Sequence, residues 1–335
     1  MTEVVSLAHG SGGEASKRLV AEIVANYFNN RTIARLDDSA VLHLGAQRVA
    51  FTTDSYVVNP VFFPGGDIGS LALNGTVNDL SMVGAVPVAV TLGLIIVEGL
   101  ALADLRRILG SVKRAAVEAG VEVVGGDTKV VERGAADRIF VNTSGLGLVP
   151  EGVDISSAGA KPGDVVIVSG WVGDHGIAIL SKREGIAFDT SVESDTAALN
   201  GLVAAMLGAS KSIHAMRDPT RGGLATTLNE IAEKSGVGVV VDEAAVPVRE
   251  PVREACEMLG LDPFYVANEG KLVAFVAEGD AEGVLRAMRA DRHGSKSVAI
   301  GRVTDDHPGM VVLKTSVGGR RILSPLSGEI LPRIC

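Results

Sequence analysis

The sequence predicts an α+β fold, with α/β-like layers of sheet and helix, divided into two domains. Three observations carry this. A chain of 335 residues is long enough for two domains of ordinary size. Hydrophobic residues make up 47% of it and aromatics only 4%, so the core is built from Val, Ala, Leu and Ile. Its 41 glycines punctuate short β-rich and helical segments, as in layered sheets with tight, Gly-rich loops.

The elements follow in order. Glu14 to about Tyr27 has helical character after the Gly-rich stretch His9-Gly10-Ser11-Gly12-Gly13. AVLHL and RVAFTTDSYVV are β-like runs. Ile68 to Val83 is a helix by its apolar spacing at Ile68, Leu71, Ala72, Val77, Leu80 and Met82. Val86 to Val97 is too short to span a bilayer and is expected as a buried strand. Ala103 to Ala119 is an amphipathic helix stopped by Gly120. VEVVGGDTK is expected as a strand running into a Gly-Gly-Asp loop, and RIFVNTSGLGLV as another strand.

Gly, Ser, Ala and Pro cluster from Pro150 to Gly163 and mark a boundary, giving domains 1–155 and 156–323. The second domain opens with a strand from Val165 to Ser169 and a helix through Lys182. Helices are expected at Leu224–Ser235, Glu250–Leu259 and Ala281–Ala290, with strands at VGVVV, KLVAFVA and SVAIGRV. MVVLKTSVGGRRIL is a hairpin turning at Gly318-Gly319. Residues 324–335 carry Pro325, Gly328 and Pro332 and are expected as a mobile tail ending in Cys335. Leu326, Ile330, Leu331 and Ile334 make that tail apolar enough to dock.

Charge and cysteine content narrow the function. A net charge of −9 without a basic block disfavours nucleic-acid binding. Two cysteines, Cys256 and Cys335, offer no disulfide framework or multi-cysteine metal site. No basic-then-apolar leader opens the chain, so a cytoplasmic protein with reduced thiols and no membrane span is expected. Cys256, in a helical apolar run, is expected as a small core residue. The six histidines show no metal-ligand spacing.

Five aspartates recur beside small residues at strand ends or on a helix: Asp38, Asp54, Asp79, Asp127 and Asp218. Singly each is an ordinary turn former or cap. Together they suit a hard cation such as Mg²⁺, which takes oxygen ligands and bridges nucleotide phosphates. Neighbouring glycines let backbone N–H groups approach phosphate oxygens. HGSGG lacks the spacing of a P-loop, and by pattern alone it is either a flexible leader or a lid over phosphates. Glu269 at a strand entrance has the character of a base, and Lys129 can offset phosphate charge; a solvated charge is the plainer alternative for both.

HGSGG, LDDSA, FTTDS, VNDLSMVGAVP, GGDTKVV, DPTRGG and NEGKLV occur in the order seen in the aminoimidazole ribonucleotide (AIR) synthetase superfamily, so the chain resembles those ATP-dependent enzymes from Leu7 to Cys335. The terminal PRIC narrows the resemblance to the HypE family of hydrogenase maturation proteins. The resemblance implies a two-domain AIR synthetase-like fold, each domain a mixed sheet covered by helices, and a homodimer paired through the N-terminal sheets. It implies ATP in the cleft between domains, under Gly10, Ser11, Gly12 and Gly13. Asp38, Asp54, Asp79, Asp127 and Asp218 would hold Mg²⁺ and phosphates, with Asp37, Thr53, Gly126 and Thr128 in the same nucleotide site.

By the same resemblance, a carbamoyltransferase, HypF, loads Cys335. The chain then dehydrates that S-carboxamide to a thiocyanate with ATP, and the cyanide passes through a HypC–HypD complex to the iron of a [NiFe]-hydrogenase. Glu269 and Lys129 would stand near the amide, Glu269 as base. The alternatives are another superfamily enzyme, such as one like selenophosphate synthetase, or a non-catalytic carrier of the carbamoyl group. No Cys precedes position 256, and the terminal PRIC is foreign to the other superfamily enzymes.

Overall fold

Two sheets organise the chain in the computed structural model, which describes residues 4–10, 13–24, 27–28, 30–186, 192–326, 331 and 333–335. The first half contributes β1 (Ala40–Leu44), β2 (Gln47–Tyr56), the hairpin strands β3 (Phe62–Phe63) and β4 (Gly66–Asp67), β5 (Val86–Val97), β6 (Glu122–Val131) and β7 (Ile139–Val149). Five of these form one sheet in the order β1-β2-β7-β5-β6, antiparallel except for the parallel pair β5–β6. The second half contributes β8 (Val165–Val168), β9 (Ile213–Arg217), β10 (Gly238–Asp242), β11 (Val273–Val276), β12 (Val298–Thr304), β13 (Val311–Lys314) and β14 (Arg320–Ile322). These form a second mixed sheet in the order β14-β13-β10-β12-β8-β11-β9, whose parallel pair is β10–β13.

The helix Ile68–Met82 is the wedge between the halves. Its sequence is apolar or small on nearly every side, and almost all of it is buried, as expected of a helix with neighbours all round. Asp67 caps it, accepting from the N–H groups of Gly69 and Ser70, while Ser70 Oγ receives the Asp67 N–H. One continuous cluster of buried side chains joins the halves, from Ala50, Leu80 and Met82 through Leu202 and Met206 to Leu272 and Val276. Cys256 is buried in the helix Glu250–Leu259, as its apolar neighbours predict.

Four expectations change. β6 runs unbroken through Gly125, Gly126 and Asp127, where a loop was expected. Gly126 makes this possible: a Cβ there would stand 2.0 Å from the Leu92 carbonyl oxygen of β5. β5 is buried on one face only, with Val86, Val88 and Ile95 exposed. A helix at Asn200–Ala209 appears where none was expected. The leader's helical stretch is Glu14–Arg18 followed by a wider turn at Leu19–Val24, rather than one helix to Tyr27.

Candidate active site

The end of the chain is docked in the body of the protein. Val57 N–H donates to the Cys335 main-chain oxygen at 3.0 Å and Asn59 N–H to the Arg333 oxygen at 3.2 Å, a short ladder beyond β2. Arg333 reaches back to the Val57 oxygen (2.9 Å) and to Asp137 (2.8 Å). Ile334 is buried with Tyr56, Val58, Phe63 and Ala267, and Leu331 and Cys335 pack against the same cluster. The gap left among Arg221, Tyr265, Ala267, Leu326, Leu331 and Ile334 is about 10 Å³, at the lower limit for a single water. The apolar tail therefore fills its groove.

Asp54, Asp218 and Glu269, drawn from both halves, act electrostatically on that thiol, and Asp38 and Asp79 interact with Asp218. Asp38 lies just before β1, Asp54 on the inward face of β2, Asp79 on the wedge helix and Asp218 just after β9. Asp79 accepts from Thr52 Oγ1 at 3.0 Å, and Asp38 pairs with Arg217 at 3.2 Å. Burial raises the pKa of Asp79 well above the usual range, and Asp218, Asp54 and Asp38 raise it further. Asp218 is pushed up to about 8 by burial and by Asp38 and Asp54, against the pull of Arg217. Burial also raises Asp38. Asp79 and Asp218, each raised by burial and by neighbouring carboxylates, have more negative charge around them than the nearby arginine balances, the electrostatic condition for a cation-binding site. Among the described residues, no three His, Cys, Asp or Glu side chains are grouped to hold a metal ion by themselves.

Asp218 has a stability consequence with a definite sign. Its folded pKa lies above the unfolded one, so its contribution is full below about pH 4 and is lost as pH rises through about 8. Asp218→Asn should therefore stabilise the ligand-free protein at pH 8 by about 1–3 kcal/mol and leave it little changed at pH 4. Denaturant unfolding at the two pH values checks this.

Glu269 is buried, and its Oε1 has no hydrogen-bond partner. Burial, then Asp218, Asp195 and Asp54, hold its pKa well above the usual range, while Arg221 opposes them. Its backbone is fixed: its N–H donates to Asp195 at 3.0 Å, and its carbonyl accepts from Asn78. Gly270 lets this turn approach the Asp195 carbonyl, which a Cβ would meet at 1.8 Å. Cys335 feels Arg221, Glu269, Asp54 and Asp218 electrostatically, and burial pushes its thiol up to about 12. Arg221 also donates to the Gly10 carbonyl at 3.0 Å, tying the leader to the thiol's surroundings. An open cleft of about 510 Å³ adjoins Asp37 and Arg217 and is also lined by Lys17 and Lys234.

The remaining expected residues divide by place. Asp37 holds the segment between the halves, accepting from Ser156, Ser157 and Arg35; these bonds offset its burial and lower its pKa. Gly13 packs on Leu326 at the base of the tail, and Ser11 and Gly12 lie outside the described residues. Thr53, Asp127 and Lys129 are not brought to the thiol within one chain. The register pairs Gly93 with both Asp127 and Asn142, and Asn142 with Ser55. Asp127 therefore shares the outward face with Ser55 and Thr53, opposite to Asp54. Lys129 pairs with Asp127 at 2.6 Å on that exposed face, and Gly126 and Thr128 lie on the same exposed edge strand. Arg217, Arg221, Asp195, Lys271 and His175 are the site neighbours that the sequence did not single out. The two arginines flank Asp218 in MRDPTRGG, and Lys271 follows Glu269 by two residues in NEGKLV, so these could have been found there; Asp195 and His175 show their places only through contacts made in the fold.

Known proteins place the chain. Residues 36–149 match the family model of the AIR synthase related protein N-terminal domain, and residues 161–314 that of its C-terminal domain. A carbamoyl dehydratase HypE of Cupriavidus necator is 52% identical over 332 residues, covering 99% of this chain and 95% of that protein. A HypE solved in complex with ATP superposes with a TM-score of 0.84 at 49% identity, covering 99% of this chain and 100% of the other. HypE in a HypE–HypF complex gives a TM-score of 0.88 at 47% identity over 92% of this chain and 99% of that one. The two mixed sheets, the docked terminal cysteine and these similarities agree: the chain belongs to the AIR synthase related family, in its HypE carbamoyl dehydratase branch.

Proposed function

We propose that the chain is an ATP-dependent dehydratase acting on its own C-terminus, converting an S-carboxamide on Cys335 to a thiocyanate. The observation that carries this reading is the placement of Cys335 among Glu269, Asp54, Asp218 and Arg221. An S-carboxamide there is a tethered substrate, held near a base and near buried carboxylates.

The chemistry follows from the groups present. The carboxamide oxygen attacks the γ-phosphorus of ATP, ADP leaves, and one N–H proton is lost. Phosphate then leaves the carbon as the second N–H proton departs, and the C≡N bond remains. Glu269 suits the proton acceptor: a raised pKa gives it driving force near neutrality, and Oε1 is free to accept. Arg221 places positive charge where negative charge develops. Asp38, Asp54, Asp79 and Asp218 offer the oxygen donors Mg²⁺ takes; not grouped into a site by themselves, they would hold it together with phosphate oxygens, and it would supply charge neutralisation there. Asp79→Asn should weaken Mg-ATP binding by about tenfold or more. Calorimetry giving an unchanged affinity would remove Asp79 from the nucleotide site.

The nucleotide lies in the cleft between the halves, under the Gly10–Gly13 leader. A homodimer accounts for the outward group. The face bearing Thr53, Asp127 and Lys129 also exposes Phe51, Leu146 and Leu148, an apolar patch of the kind that pairs with a second copy. Asp127, Thr128, Gly126 and Lys129 then meet nucleotide and amide at the paired sheets rather than within one chain.

Loading by a HypF carbamoyltransferase and delivery to a HypC–HypD complex, in the cytoplasm, complete the role. A docked thiol held near pKa 12 is a poor nucleophile, so loading takes place with the tail undocked. No helix among the described residues is long and apolar enough to cross a membrane. Isotopic oxygen placed in the carboxamide tests the mechanism. It should emerge in the released phosphate, and its appearance in water instead would exclude phosphorylation of that oxygen.

A further inference from the structure

His175 is fully buried at the start of the helix Asp174–Glu184, and both ring nitrogens are engaged. Nε2 lies 2.9 Å from the Ile334 carbonyl oxygen, and Nδ1 lies 2.7 Å from Ser194 Oγ. A carbonyl only accepts, so Nε2 carries the proton and donates. In the neutral ring Nδ1 is then an acceptor and receives the Ser194 hydroxyl proton. Ser194 Oγ in turn accepts the Thr196 N–H at 3.2 Å, and the Ser194 N–H donates to Pro64 at 2.8 Å. Phe63 stands edge-on to the ring with centroids 5.6 Å apart. The ring is thus oriented from three sides, and its one bond to the tail falls on the residue before Cys335.

The adjoining residue extends this chain of contacts to the base. Asp195 accepts the Glu269 N–H at 3.0 Å and pairs with Lys271 at 3.0 Å. The segment 194–196 therefore holds the ring that grips the tail and the backbone of Glu269 together.

We propose that His175 is the positioning residue of the tail, donating from Nε2 to the Ile334 carbonyl so that the Cys335 substituent is presented to Glu269. This inference rests on the dehydratase reading for its purpose but not for its test. Among the described residues, other bonds to the backbone of residues 333–335 come from Val57, Asn59 and Arg183, and Arg183 sits on Arg333, one residue further from the sulfur. Val57 fixes the terminal oxygen; His175 alone among the described side chains bonds the Ile334 carbonyl. Losing it leaves that buried carbonyl without its partner, which favours the undocked tail.

The test uses the full-length chain without nucleotide. Alkylation of Cys335 by iodoacetamide at pH 8 is followed by peptide mass spectrometry, with buried Cys256 as the internal reference for folding. His175→Phe keeps the ring shape without the donor and should speed Cys335 alkylation about tenfold. His175→Gln can restore an N–H near Nε2 and should return the rate to within about threefold of the parent. Ser194→Ala, which releases the tautomer but not the ring, should give about a threefold rise, and it carries the test if His175→Phe exposes Cys256. Parent-like alkylation in a folded His175→Phe, or in Ser194→Ala where that variant is needed, overturns the proposal. So does an equal rise in His175→Phe and His175→Gln. Failure of the dehydratase reading appears elsewhere, as a parent carboxamide that Mg-ATP leaves unchanged, and does not affect these rates.

Discussion

Cys335→Ala is expected to bind Mg-ATP normally and to form no thiocyanate at all. The sulfur is the tether on which the substrate is built, so its removal leaves nothing to dehydrate. The side chain contributes little to the tail's grip, because the tail is held by burial of Ile334, by backbone N–H bonds from Val57 and Asn59 and by the His175 ring. The carboxylates proposed to take the nucleotide lie just before β1, on β2, on the wedge helix and after β9, and their described bonds, from Thr52 to Asp79 and from Arg217 to Asp38, do not involve the thiol. Calorimetry with Mg-ATP and mass spectrometry after incubation with a carbamoyl donor system read the two halves of this result. Protein-bound thiocyanate in the alanine variant would place the chemistry on another residue.

Glu269→Gln is the second large effect. Gln keeps the shape of the side chain and the backbone bonds to Asp195 and Asn78, but it cannot take a proton. The dehydration step should slow by about 10²–10⁴-fold, the usual contribution of a positioned base, while Mg-ATP affinity is retained. The pH profile separates this from a packing defect. Burial and the neighbouring Asp218, Asp195 and Asp54 hold the parent carboxyl well above its ordinary range. Its single-turnover rate should therefore climb with pH beyond the range where ordinary carboxylates have already ionised. The glutamine variant should lack that limb. A variant retaining both the rate and the limb would assign the proton transfer to another group.

Much of the fold was legible because its signals were local. Helix ends at Gly120 and Gly260 were readable, and both adopt φ of 68°, a conformation that costs glycine little. The wedge helix was readable from its apolar spacing between Ile68 and Met82. The helix Asn200–Ala209 was missed because NGLVAAMLGA has no polar face to give it a period. The Gly-Gly-Asp stretch looked like a loop because glycine usually marks one; its actual cause, the Leu92 carbonyl pressed against Gly126, is a contact between strands far apart in sequence.

The site was legible to the same depth. Asp38, Asp54, Asp79 and Asp218 converge, and each stood at a strand end or on the wedge helix. Asp127 looked equivalent, but one residue of β-strand parity puts it on the opposite face from Asp54. The tail shows its expected capacity to dock. It is apolar enough to bury Ile334, and the His175 ring bonds the carbonyl of that same residue. His175 carried no motif, and only the path of the last residues shows what it touches.

The most direct measurement takes purified chain carbamoylated at Cys335 and adds Mg-ATP alone, with no partner protein. Mass spectrometry should show the Cys335 peptide losing one water, with phosphate released in equal amount. A carboxamide that persists under saturating Mg-ATP contradicts the dehydratase and leaves a carrier that only presents its tail to other enzymes.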